Sequence, residues 1–77
     1  MIYPNPFIDE FKINLESIKD EQVRVEIYDA IGKKVLERHY VRPNQLLVLG
    51  QEIKLSGTYY IRLTTENHNG VYKLIKR

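Results

Sequence analysis

At 77 residues the chain is one small domain, and 43% hydrophobic content is enough for a single packed core. Twelve basic and 10 acidic residues leave a net charge of +2, too balanced to imply nucleic acid or an anionic membrane surface. The absence of cysteine excludes disulfides and thiolate metal sites, and no apolar run approaches the ~20 residues of a membrane-spanning helix.

Residues 1–3 are apolar and short, as in an edge strand, and Met1-Ile2-Tyr3-Pro4 lacks the basic start and apolar core of a signal peptide. Pro4-Asn5-Pro6 cannot continue into a sheet. Each proline lacks an N–H and holds the residue before it extended, so a rigid corner is expected. Phe11, Ile13 and Leu15 alternate with Lys12, Asn14 and Glu16, the two-residue period of a half-buried strand. Residues 17–21 form a polar connection.

The central stretch is residues 23–41, around which the rest is organised. Val23, Val25 and Ile27 alternate with Arg24, Glu26 and Tyr28. Asp29-Ala30-Ile31-Gly32 reads as a turn: the Asp carboxylate suits nearby backbone N–H groups, and Gly32 suits a positive φ closing a three-residue hairpin loop. If Asp29 pairs with Lys33, Ile27 faces Val35 and both enter the core. Glu37 and His39 then share the face of Val35, while Leu36 and Tyr40 take the other. That second strand is therefore expected to bulge or to run near a sheet edge.

Arg42-Pro43-Asn44 is a second break. Leu46–Leu49 is continuously apolar and fits a strand buried on both faces. Beyond Gly50, residues 52–55 lead to the turn signal Ser56-Gly57. Tyr59, Ile61 and Leu63 alternate with Tyr60, Arg62 and Thr64 as the next strand. Asn67-His68-Asn69-Gly70 reads as a hairpin loop of residues that tolerate positive φ, and residues 71–77 as the last strand. No stretch carries a helical period. About seven short strands with regularly spaced turns predict an antiparallel sandwich or small barrel.

Chemistry-bearing residues are sparse. His39 and His68 are the only histidines, and neither has a second ligand at i+2 or i+4, so no metal or catalytic role is expected of them. The carboxylates, Glu26 among them, fall at solvent-facing positions and turns. The four glycines are isolated at turns, without a nucleotide fingerprint. Six tyrosines offer a stacking platform for sugars or bases, but Tyr59 and Tyr60 point to opposite faces, and packing with a wetted hydroxyl is the plainer reading. Lys73, Lys76 and Arg77 make a basic terminus that suits a solvated strand end.

Three blocks together carry a family resemblance: Tyr3-Pro4-Asn5-Pro6-Phe7 with the strand after it; Val25-Glu26-Ile27-Tyr28-Asp29-Ala30-Ile31-Gly32-Lys33-Lys34-Val35; and Leu55-Ser56-Gly57-Thr58-Tyr59-Tyr60, then Gly70 and Lys73-Leu74-Ile75-Lys76. In this order and spacing the chain resembles the A-type C-terminal sorting domain of the type IX secretion system of Bacteroidetes. The resemblance implies an immunoglobulin-like Greek-key β-sandwich over residues 1–77, excised from the end of a longer secreted protein. It implies a non-catalytic address without cofactor or metal, read in the periplasm by the type IX translocon. The cargo attached N-terminally then crosses the outer membrane to the cell surface or the medium, and a sortase-like cysteine peptidase commonly removes the domain. Recognition candidates on the matching positions are Pro4, Asn5, Pro6, Gly32, Lys33, Gly57, Tyr59, Lys73, Lys76 and Arg77. No nucleic acid and no membrane insertion are expected. The alternative functions are a small adhesion or carbohydrate-binding sandwich, which would show an aligned row of exposed aromatics, and an oligonucleotide-binding barrel. Charges alternating in sign count against the latter.

Overall fold

A computed structural model describes residues 2–42 and 46–77 of the chain. Its strands are β1 (Ile2–Tyr3), β2 (Phe11–Asn14), β3 (Gln22–Asp29), β4 (Lys34–Val41), β5 (Leu46–Leu49), β6 (Gly57–Thr65) and β7 (Asn69–Lys76). They form two antiparallel sheets, ordered β1-β2-β5 and β4-β3-β6-β7, with no helix among the described residues. One core cluster draws on both sheets, as expected of a sandwich. Met1, Pro43 and Asn44, named in the sequence reading of the first strand and the second break, lie outside the described residues.

The strand phases follow the sequence where it alternates. Phe11, Ile13 and Leu15 of the first amphipathic stretch are buried, as are Val23, Val25 and Ile27 of β3 and Tyr59, Ile61 and Leu63 of β6. Val25, Ile27 and Ile61 sit in register across β3 and β6, with Leu63 opposite Val25 and Ile61 opposite Ile27. Each such aliphatic side chain, fully removed from water, contributes about 1.5–3 kcal/mol.

Four expectations are corrected. Ile27 faces Leu36, while Tyr28 faces Lys34, so Val35 is an extra residue bulged out of β4. Val35 is therefore 42% exposed, and Leu36 takes the core position. The bulge shifts the phase by one residue, and β4 is an edge strand as well, so both expected causes of its degraded alternation are present. Second, β5 is not buried on both faces. Leu47 and Leu49 enter the core, but Leu46 and Val48 are exposed, because β5 pairs only with β2 and its outer face meets no further layer. Third, Asn69 and Gly70 belong to β7 opposite Thr64 and Leu63, leaving a tighter loop closed by the Thr65 N–H donating to the His68 carbonyl at 2.8 Å. Fourth, Glu26 is only 6% exposed although it lies on the outer face of its sheet.

Candidate recognition surface

The proline corner and the last strand form one structure. β7 is an edge of its sheet, with a row of backbone groups lacking a strand partner. The Asn5 carboxamide covers part of that row: its Nδ2 donates to the Lys73 carbonyl and its Oδ1 accepts from the Ile75 N–H, both at 2.9 Å. The backbone continues the contact. Phe7 N–H donates to the Ile75 carbonyl and Arg77 N–H to the Phe7 carbonyl, each at 2.9 Å. Pro4 and Pro6 follow cis peptide bonds and have no N–H to offer, so the donor here comes from a side chain. Phe7 drops its ring into the core, edge-on to Phe11 at 5.1 Å between centroids, with the Lys76 ammonium 5.6 Å above it.

The β3–β4 hairpin tip is built as its sequence predicts. Asp29 Oδ1 accepts from the N–H groups of Ile31 at 3.1 Å and Lys33 at 2.9 Å. Gly32 N–H donates to the Asp29 carbonyl at 3.0 Å, with φ +88°. Beside the tip, Tyr59 lies buried and its hydroxyl donates to the Leu55 carbonyl at 2.7 Å, fixing the loop before β6. Between tip and loop runs a groove of about 420 Å³, lined by Ile31, Lys33, Val35, Leu55 and Gly57. Ile31 is 90% and Leu55 78% exposed, an apolar rim that alternation reasoning did not single out.

Register brings these parts together. Asp29 pairs with Tyr59 and Tyr59 with Leu74, and Gly57 pairs with Lys76. The hairpin tip with Gly32 and Lys33, the Gly57 loop, and Lys76 with Arg77 therefore share one end of the four-stranded sheet. The Pro4-Asn5-Pro6 corner and Lys73 flank that end along the β7 edge. Tyr59 supports the surface from inside and is the one candidate with a buried side chain.

On the outer face of that sheet an ion network occupies the carboxylates. Glu26 accepts from the Tyr28 hydroxyl at 2.9 Å, lies 3.0 Å from the Lys34 ammonium, and has the Arg24 guanidinium 3.5 Å away. The hydrogen bond from Lys34, then that from Tyr28, holds its carboxyl below the usual range despite burial. Lys34 also meets Glu37 at 2.6 Å, and with His39 it pulls the Glu37 carboxyl down to about 2. The Glu26 carboxylate in turn raises the Tyr28 hydroxyl. These groups neutralise one another, as a structural network does. His39 faces Glu37 at 2.5 Å, His68 faces the Tyr72 hydroxyl at 3.0 Å, and no group of three or more potential ligands gathers among the described residues. At the far end Asp20 accepts from Thr65 and from Asn67 Nδ2, and Glu66 caps the N–H groups of Glu21 and Gln22.

The aligned aromatic row that would favour a carbohydrate module reduces to a single cross-strand pair. Tyr28 and Tyr60 are cross-strand neighbours on the outer face, but Tyr40, Tyr59 and Tyr72 fall by register on the opposite one, and Tyr3 is in the other sheet.

An endo-acting ulvan lyase of Formosa agariphila is 31% identical to this chain over 72 residues, a match that takes in 94% of the chain and 13% of the lyase. The chain thus spans a small fraction of the curated relative it matches. The family described as the secretion system C-terminal sorting domain matches across residues 1–77. With the hairpin tip, the Gly57 loop and the basic end of β7 gathered at one end of an all-β sandwich and the proline corner flanking it, the chain belongs to the C-terminal sorting domains of the type IX secretion system.

Proposed function

We propose that the domain works as a folded, non-catalytic address for a cargo joined to its N-terminal side. The translocon reads it in the periplasm, the cargo crosses the outer membrane to the surface or the medium, and a sortase-like cysteine peptidase then removes the domain. The Greek-key, immunoglobulin-like form belongs to this reading. Match to the ulvan lyase over only 13% of that protein supports a module shared between otherwise larger proteins.

One observation carries the reading: the turn and terminal parts of the blocks, Gly32-Lys33, Ser56-Gly57 and Lys76, converge on one end of the four-stranded sheet, with the Pro4-Asn5-Pro6 corner beside it. That end combines cations, Lys33, Lys76 and Arg77, with the exposed apolar side chains Ile31 and Leu55. We assign recognition to this end, with the Asn5 clamp holding the last strand in position.

Charge reversal tests the assignment. Changing Lys73, Lys76 and Arg77 to Glu alters exposed or half-exposed side chains, at about 0.5 kcal/mol or less each. Export of a fused reporter is expected to fall while the melting temperature stays near that of the parent. Unchanged export by the folded variant would move recognition to the hairpin tip at Gly32 and Lys33 or to the proline corner.

A further inference from the structure

A second groove, of about 390 Å³, opens on the outer face of the four-stranded sheet and is lined by Tyr28, Asp29, Tyr60, Arg62 and Val71. Tyr28 lies opposite Tyr60, and Tyr60 opposite Lys73, so these three project from the same face. Arg62 stands two residues along β6 from Tyr60, facing Val71 on one side and Glu26 on the other.

Arg62 is the cation that lines this groove, Lys73 stands beside it opposite Tyr60, and neither is matched. Glu26 is the cross-strand neighbour of Arg62, but its Oε2 takes the Tyr28 hydroxyl and Lys34, and its buried Oε1, which accepts no hydrogen bond, has Arg24 3.5 Å away. Asp29 turns its Oδ1 inward to the tip N–H groups of Ile31 and Lys33. Among the described residues no carboxylate pairs with the guanidinium of Arg62 or the ammonium of Lys73, and both side chains are exposed. Lys34 hangs 6.0 Å from the Tyr28 ring centre, whereas Tyr60 is 39% exposed and is the more open ring of the pair.

The position of the groove selects its occupant. It lies across β3, β6 and β7 and away from a free edge, because β4 is one edge of the sheet and Asn5 and Phe7 cover the other. An extended peptide would find no backbone ladder to join here, only side chains. An open phenol ring receives the C–H face of a sugar, and a guanidinium fork receives an acidic group bidentately. We propose that this groove binds a glycan unit bearing one acidic group, with the sugar against Tyr60, the acid on Arg62 and Lys73 adding attraction. The inference is independent of the sorting role.

Titration of the 77-residue chain with trigalacturonate, followed by calorimetry and by amide chemical shifts, tests it. Saturable binding is expected, with shifts centred on Tyr28, Tyr60, Arg62 and Lys73. The methyl ester of the same sugar, which lacks the charge, should bind about tenfold more weakly or worse. Arg62→Gln should weaken trigalacturonate by a similar factor, and Tyr60→Ala should weaken acid and ester alike. Arg62→Lys, which keeps the charge and loses the fork, should fall between; it and the shift map stand even if another variant unfolds. Absence of saturable binding, equal binding of the ester, or an unaffected Arg62→Gln would each overturn the proposal. So would hexaglutamate binding as tightly as the sugar, which would mark the groove as a site for acidic peptide.

Discussion

Replacing Asn5 by Ala removes the side-chain clamp on β7 and leaves the backbone bonds of Phe7 in place. Two hydrogen bonds are lost, each 2.9 Å long and each at the surface. Water can replace the carboxamide there, so each bond contributes about 0.5–1.5 kcal/mol net and the pair about 1–3 kcal/mol. A domain of 77 residues has about 4–12 kcal/mol of stability in all. The loss should lower the melting temperature by about 4–24 °C and shift the urea midpoint without changing the slope. Asn5→Asp should cost at least as much, because it keeps the acceptor for Ile75 but sets a carboxylate oxygen against the Lys73 carbonyl. Hydrogen exchange supplies the local reading: the Ile75 amide should lose protection in the Ala variant and keep much of it in Asp. A midpoint change equivalent to less than about 0.3 kcal/mol, with Ile75 still protected, would refute the clamp.

Gly32→Val should destabilise by about 1–2 kcal/mol, read as a urea midpoint, entirely through its φ of +88°, since an added Cβ meets nothing within 4 Å. Gly50→Ala should cost more than Gly32→Ala in the same assay, because φ is +101° and its Cβ would lie 2.7 Å from the buried Phe11 ring. Ile27→Ala or Ile61→Ala, each at a fully buried site, should cost about 2–5 kcal/mol in thermal unfolding. Glu26, Glu37 and Asp20 all have carboxyls below their ordinary values in the folded state. The stability they confer is complete above the unfolded values near 4.5 and 3.8 and is lost as pH falls toward about 2, so the midpoint should be flat down to about pH 5 and then decline. A midpoint that rises on acidification would contradict those pairings.

Alternation made most of the fold legible. Where apolar residues alternate, as in Phe11–Asn14, in Val23, Val25 and Ile27, and in Tyr59, Ile61 and Leu63, the buried face is the expected one. Gly32 was readable for a local reason, since the Asp29 carboxylate and the glycine φ define one turn. Val35 and Leu36 were not. A bulge depends on how the tip closes against β3, and one extra residue exchanges the faces of all that follows. The apolar run Leu46–Leu49 misled for a related reason: composition tells that a strand can be buried on both faces, but only the layer arrangement decides whether a second layer exists. Glu26 was unreadable because its burial comes from long side chains of β3 and β4 folding over it.

The candidate site divides the same way. Pro4-Asn5-Pro6 was identifiable as a corner, and Lys73, Lys76 and Arg77 as a terminal basic set. Nothing local says that the two meet, since Asn5 bonds residues 68 and 70 positions away. The apolar rim of Ile31 and Leu55 was likewise hidden. Both residues sit in turns, where alternation gives no face, and their proximity follows from the pairing of β3 with β6.

The most direct test of the address is export of a passenger. A periplasm-targeted reporter carrying this chain at its C-terminal end should become accessible to protease added outside intact cells of a host with the type IX machinery. It should stay protected in the same host without that machinery. The clamp and core variants should lose export in proportion to their loss of folding. A reporter that remains in the periplasm of the competent host, with the domain folded, would contradict the account.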